Sequence, residues 1–180
     1  YCEIHPFNLN PNLSSVKGII LSGGPASVYE RAAPQCNKQI YQLGLPILGI
    51  CYGMQLLVHD LGGKVRKADK SEYGLANLMI KKGNDIFKYL PNSKITVWMS
   101  HRDIVETIPE GFVSLASTHN CKFAAIADPQ RKIYGLQFHP EVKHTQFGKE
   151  IIKNFLKICD VDFNWSMKNF ITEISNNIKQ

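Results

Sequence analysis

No stretch of this chain approaches the roughly 18 consecutive apolar residues that a membrane-spanning helix needs. Its opening, Tyr1-Cys2-Glu3-Ile4, has neither the basic region nor the apolar region of a secretory signal. A membrane partner is therefore not expected, and the cytoplasm is the expected setting. The five cysteines are an odd number without a C-x-x-C spacing, which argues against both a disulfide framework and a zinc site. Reduced thiols and no bound metal are expected. Positive charge is in excess, at +6, yet no basic run is longer than Lys81-Lys82, and aromatic residues do not interleave with the basic ones. That pattern speaks against nucleic acid as a partner. There is no G-x-x-x-x-G-K-[ST] phosphate loop, no internal repeat and no low-complexity tract. What remains is a globular composition, 44% hydrophobic and 20% charged over 180 residues, enough for one full core and too short for two ordinary domains.

Short apolar runs ended by turn residues give the organisation. Gly18-Ile19-Ile20-Leu21 runs into Ser22-Gly23-Gly24-Pro25, and Pro46-Ile47-Leu48-Gly49-Ile50 runs into Cys51; both read as buried strands. Ile40, Leu43 and their polar neighbours predict a covering helix between them, as a parallel pair requires. Met54, Leu57, Val58 and Leu61 share one helical face after Cys51, and Gly62-Gly63 stops that helix. From Lys64 to about Ile108 the pattern predicts shorter antiparallel pieces such as Ile95 to Met99. Strands are predicted at Phe112 to Ala116, Phe123 to Ala127 and Ile133 to Phe138, then a helix from about Gly148 to Cys159 and an amphipathic stretch from Phe163 to Gln180.

Gly49-Ile50-Cys51-Tyr52-Gly53 is a G-x-C-x-G form of the nucleophile elbow, in which small residues two places either side relieve the crowding around a strained central residue. The helix beginning after Cys51 points its positive end at the sulfur and favours thiolate over the free thiol's pKa of about 8.5. Cys51 is thus the candidate nucleophile. His139, at a strand end and held extended by Pro140, is the candidate base. Glu141 projects from the same face two residues on, so it can fix the imidazole tautomer. The other histidines lack this combination, and His59 falls within the helix as a structural residue. An acyl transfer also needs donors aimed at the developing oxyanion, each worth roughly 3–4 kcal/mol. The backbone N–H groups of Gly24 and Tyr52 are assigned that role. Ser22-Gly23-Gly24 lacks the acidic residue of an S-G-G-x-D-S pyrophosphate loop, so nucleotide binding there is rejected.

With the strand-Ser-Gly-Gly-Pro loop, Gly49-Ile50-Cys51-Tyr52-Gly53-Met54-Gln55 and Phe138-His139-Pro140-Glu141 in this order, the sequence resembles the class I, triad-type glutamine amidotransferases from Gly18 to about Cys159. The resemblance implies an α/β fold of flavodoxin-like type: an open, mostly parallel central sheet with flanking helices and a small antiparallel insertion. It makes Cys51, His139 and Glu141 a triad, and it implies that Gln55, Ser100 and Asp103 hold the α-amino and carboxylate groups of glutamine. Arg102 departs from the glycine that many relatives have beside this aspartate, which leaves the local backbone geometry open.

Val97-Trp98-Met99-Ser100-His101, residues 140–145 and Tyr1-Cys2-Glu3 resemble, more narrowly, the amidotransferase parts of GMP synthetases. On that resemblance residues 1–160 hydrolyse glutamine, and 161–180 lead towards an ATP pyrophosphatase (synthetase) domain that aminates xanthosine monophosphate to GMP. ATP and magnesium belong to that partner, this chain carries no cofactor of its own, and a homodimer forms through the synthetase part. An amidotransferase serving an anthranilate or carbamoyl-phosphate type synthetase, and a non-catalytic regulatory module, are the alternatives. The family's first strand and helix, with F-G-S-Q or similar, are not found before Tyr1. The resemblance puts that strand between a strand at Tyr1 to His5 and the one at Gly18 to Leu21, so an unpaired slot is expected beside the latter.

Overall fold

The computed structural model describes residues 1–81, 85–90, 93–163 and 166. Seven strands and two α-helices follow in the order β1 (Ile19–Leu21), β2 (Ile47–Ile50), α1 (Tyr52–Asp60), β3 (Lys64–Ile80), β4 (Lys94–Thr107), β5 (Val113–Ser117), β6 (Ala125–Asp128), β7 (Ile133–Leu136) and α2 (Gly148–Ile158). They form one sheet in the order β1-β2-β7-β6-β5-β3-β4. β2 lies between β1 and β7 and is parallel to both. Every other pairing is antiparallel.

The class is the expected α/β, but the sheet is mixed rather than mostly parallel. Its parallel part is confined to β1, β2 and β7. The reason lies in the connections: β5, β6 and β7 are joined by short turns, and such turns allow only antiparallel neighbours. The antiparallel portion is also larger than a small insertion. β3 and β4 form one long hairpin, where the sequence suggested several shorter pieces. The charged run Lys67 to Glu72 is an irregularity within β3, marked by a register shift between those residues.

Two further expectations are corrected. The covering helix between β1 and β2 is a five-residue 3-10 turn, Lys38–Gln42, capped by Asn37, whose side chain accepts from the Gln39 N–H. Tyr1 to His5 forms no strand, and its residues are exposed. Pro6, which has no N–H of its own, leads into a turn closed by the Leu9 N–H on the Pro6 carbonyl. β1 is therefore an edge strand among the described residues, paired with β2 alone. The amphipathic stretch expected from Phe163 to Gln180 lies, apart from residues 163 and 166, outside the described residues, as does most of the segment 161–180. No helix among the described residues is long and apolar enough to cross a membrane.

The sheet is covered on both faces, which is why β2 reads as a continuous apolar run. Ile47 packs with Met54, Leu57 and Val58 of α1. Its neighbour Leu48 points the other way and packs with Leu136, Ile151 and Phe155 beneath α2. The start of α1 sits directly on backbone. A β-carbon on Gly53 would overlap the Leu21 carbonyl, and one on Gly49 would overlap the side chain of Leu57. Those two glycines let the helix begin close above β1 and β2.

Candidate active site

Cys51 joins β2 to α1 with φ 51° and ψ −107°, a conformation that L residues seldom adopt and that persists only where the surroundings hold it. Two hydrogen bonds hold it here: the Cys51 N–H donates to the Leu136 carbonyl at 2.7 Å, and its carbonyl accepts from the Gln55 N–H at 3.1 Å. The result is a side chain raised above the carboxyl end of the parallel strands, the place where open α/β sheets build sites. The Cys51 thiol donates to the Ser100 carbonyl at 3.5 Å, and the Gln137 amide approaches the sulfur at 3.7 Å.

The segment carrying His139 is sewn to β4. The His139 N–H donates to the Trp98 carbonyl at 3.0 Å. The Thr145 hydroxyl donates to the His139 carbonyl at 2.6 Å while accepting from the Trp98 N–H at 3.0 Å. Gln146 exchanges bonds with both backbone groups of Thr96. On the ring, Nδ1–H donates to Glu141 Oε1 at 2.6 Å. Nε2 is buried and makes no hydrogen bond of ordinary geometry to any other described atom. The Cys51 sulfur is the largest influence on its titration, and with the Glu141 carboxylate it pushes the imidazole up to about 10 against the opposing effect of burial. Burial works to raise the Glu141 carboxyl, but hydrogen bonds from His139 and from its own backbone N–H win and hold it below its ordinary value.

The oxyanion candidates lie alongside. Tyr52 is the first residue of α1, where backbone N–H groups have no partner within the helix. Gly24 packs against the Tyr52 side chain, its β-carbon position 3.5 Å from Tyr52 Cγ. Gly23 stands closer still to the chemistry, since a β-carbon there would lie 3.1 Å from His139 Cε1 and 3.7 Å from Cys51 Cβ. Sequence reading passed over Gly23 because either member of a Gly-Gly pair satisfies the same turn.

A cavity of about 540 Å³ opens above Cys51, with Gly24, Gln55, Ser100, Asp103 and His139 among its lining residues. All the residues singled out from the sequence thus come together here except Glu141 and Tyr52, which stand behind His139 and beside Gly24. Gln55 donates to the Asp103 carbonyl at 2.9 Å and to Gln137 Oε1 at 3.2 Å, so its amide nitrogen is committed to the wall. Asp103 is buried; one carboxylate oxygen accepts from the Ser27 hydroxyl and the other from Tyr29 at 2.8 Å. Ser27, Tyr29 and Gln137 were not legible beforehand. Gln137 alone had a signal, since in an extended segment it shares a face with His139.

Behind the cavity, Glu72, His101 and Cys121 bring one ligand-type atom each within 4.8 Å of one another. Their hydrogen bonds describe a polar core. Glu72 accepts from Thr118 at 2.9 and 3.0 Å, from Asn120 at 3.4 Å and from His101 Nε2 at 3.3 Å. The Cys121 thiol is pushed up to about 12, first by burial and then by the charge of Glu72, which leaves it a poor ligand.

A cysteine on a strained elbow, a histidine held by a carboxylate and a buried aspartate thus line or border one cavity at the carboxyl end of the parallel strands. The chain matches the family described as Glutamine amidotransferase class-I over residues 1–159, and it belongs to that family. It is similar to a GMP synthase (glutamine-hydrolyzing) of Brachyspira hyodysenteriae, 53% identical over 175 residues, and to that of Bacillus subtilis, 48% identical. Each match covers 95% of this chain and 34% of the relative, so the chain spans about a third of their length. A Thermoplasma acidophilum protein of known crystal structure, assigned to GMP synthase, is 37% identical with a TM-score of 0.75, over 82% of this chain and 75% of that one. A glutamine amidotransferase from Thermotoga maritima, 24% identical, shares the fold at a TM-score of 0.66 over 84% of this chain and 65% of that one.

Proposed function

We propose that this chain hydrolyses the side-chain amide of glutamine to glutamate and ammonia, and that the ammonia passes to a synthetase part that aminates xanthosine monophosphate to GMP. The observation that carries the reading is that Cys51, on its strained elbow, and His139, hydrogen-bonded to Glu141, line one cavity. Cys51 attacks the amide carbon, and the N–H groups of Gly24 and Tyr52 take the oxyanion. His139 gives a proton to the departing ammonia, leaving a glutamyl thioester. Water activated by His139 then releases glutamate and restores the thiol. Glu141 orients the imidazole and stabilises its charged form. Gln55, Ser100 and Asp103 hold the amino-acid head group, Asp103 being suited to the ammonium. Similarity to GMP synthases supports the choice of acceptor. ATP and magnesium serve that synthetase part, and a homodimer would form through it; the reading gives this chain no cofactor or metal of its own.

The test is a glutamine analogue bearing an electrophile in place of the amide. Mass spectrometry should find it on Cys51, with glutamine protecting; modification of Cys36 or Cys121 instead would remove the assignment. The pH dependence gives a second check. His139 supplies its proton only below its raised value, so glutamine hydrolysis should decline as pH rises towards about 10. Glu141→Gln removes a group that raises that value, and the alkaline limb should move to lower pH. An unmoved limb would separate Glu141 from the histidine's chemistry.

A further inference from the structure

The cavity wall holds two opposite charges that do not meet. Asp103 is one; its partners are the hydroxyls of Ser27 and Tyr29, so its negative charge is hydrogen-bonded but not neutralised. Arg102 is the other. It lines the same cavity, and its single hydrogen bond among the described residues runs from Nη2 to the Pro25 carbonyl at 3.1 Å. Neighbours on a regular strand point to opposite faces, yet both of these reach the cavity. The cause is the irregularity opposite them. Lys67 pairs with Asp103 and Glu72 with His101, so residues 68–71 stand against Arg102 alone. A bulge of this kind re-aims a side chain.

We propose that Arg102 receives the α-carboxylate of the amino-acid substrate while Asp103 faces its ammonium group. The proposal rests on the reading of this site as a glutamine-hydrolysing one. The other cationic-capable groups of the wall are already engaged: His139 with Glu141, and His101 with Glu72 and the Asp103 carbonyl. Of these groups Arg102 alone has no carboxylate partner among the described residues, and the Pro25 contact steadies one edge of its guanidinium while leaving Nε and Nη1 open. A planar fork of donors matches a carboxylate in two-point contact. A zwitterionic head group would thereby meet a complementary charge at each end.

The experiment compares two substrates in the full-length protein. One is L-glutamine; the other is γ-aminobutyramide, which keeps the ammonium and the amide but lacks the α-carboxylate. Arg102→Ala should raise KM for glutamine about tenfold or more, a factor equivalent to about 1.4 kcal/mol, and leave kcat within about twofold. Its kcat/KM for γ-aminobutyramide should be unchanged, and Arg102→Lys should recover part of the loss for glutamine. Equal losses for both substrates would make Arg102 a strap on the Pro25 loop and overturn the proposal. So would an unchanged KM for glutamine. A wild-type protein that hydrolyses no glutamine would overturn the reading of the site and this proposal with it, whereas active wild type with an indifferent Arg102→Ala variant overturns the proposal alone.

Discussion

Cys51→Ala is expected to lower glutamine-dependent turnover by about 10⁴-fold or more, the scale on which loss of a nucleophile is felt in covalent catalysis, while turnover fed by free ammonia continues. The asymmetry is the informative part. The Cys51 side chain is held at the elbow by backbone bonds to Leu136 and Gln55, and neither is removed by truncation to alanine. The fold and the cavity should survive, and under the proposed function nitrogen supplied as free ammonia would bypass the thioester altogether. Assays of the whole enzyme with glutamine and with ammonium salts, run side by side, check this. Loss of both activities would mean that the substitution damaged the assembly, and retention of glutamine use would place the nucleophile elsewhere.

The largest expected effect on stability is at Glu72, which is not among the residues lining the cavity. It is 8% exposed and sits against His101, which is 4% exposed. Both ring nitrogens of His101 face oxygens, the Asp103 carbonyl at 3.1 Å and the Glu72 carboxylate at 3.3 Å. Glu72→Ala would leave that ring, the Thr118 hydroxyl and the Asn120 amide without their shared acceptor. Breaking a buried pair by removing one member costs about 3–5 kcal/mol, roughly 6–20 °C in Tm for a chain of this size. Glu72→Gln, which keeps an acceptor but no charge, should fall between. Thermal unfolding of the three proteins decides it; a Glu72→Ala variant as stable as the wild type would show that the network is incidental.

The sign of the pH effect follows from the carboxylate. Burial works to raise the Glu72 carboxyl, but the hydrogen bonds from His101 and Thr118 hold it below its ordinary value of 4.5. Its contribution is therefore complete above that value and is lost as pH falls through the lower, folded-state one. The Glu72→Gln protein should lose less stability over that acid range than the wild type. His139 behaves in the opposite sense. Raised from 6.5 to about 10, it contributes stability that is complete below 6.5 and disappears as pH rises through about 10.

Local chemistry made part of this molecule readable in advance. β2 and the start of α1 could be placed because an apolar run, two glycines and a helical repeat all fall between Pro46 and Leu61. His139 and Glu141 could be paired because an extended segment fixes the relation of i to i+2. Residues whose meaning depends on distant contacts were hidden. Ser27 and Tyr29 find Asp103 across more than seventy residues of sequence, and Gln137 reaches both Cys51 and Gln55 in the same way. The length of the β3–β4 hairpin was obscured by the charged residues of its own irregular stretch. The strand that the resemblance placed at Tyr1 to His5 does not form, for a strand persists only where a neighbour can satisfy its backbone.

Cys51 and His139 are mounted on different supports. The sulfur rides on the junction of β2 and α1, one strand in from an edge of the sheet, whereas the segment carrying the imidazole is bonded through Trp98, Thr145 and Gln146 to β4 at the opposite edge. That strand belongs to a hairpin whose outer face leaves Tyr73, Leu75 and Met79 in solvent. The Cys51 thiol also donates to the Ser100 carbonyl of that hairpin, so a displacement of β4 would reach both reacting groups.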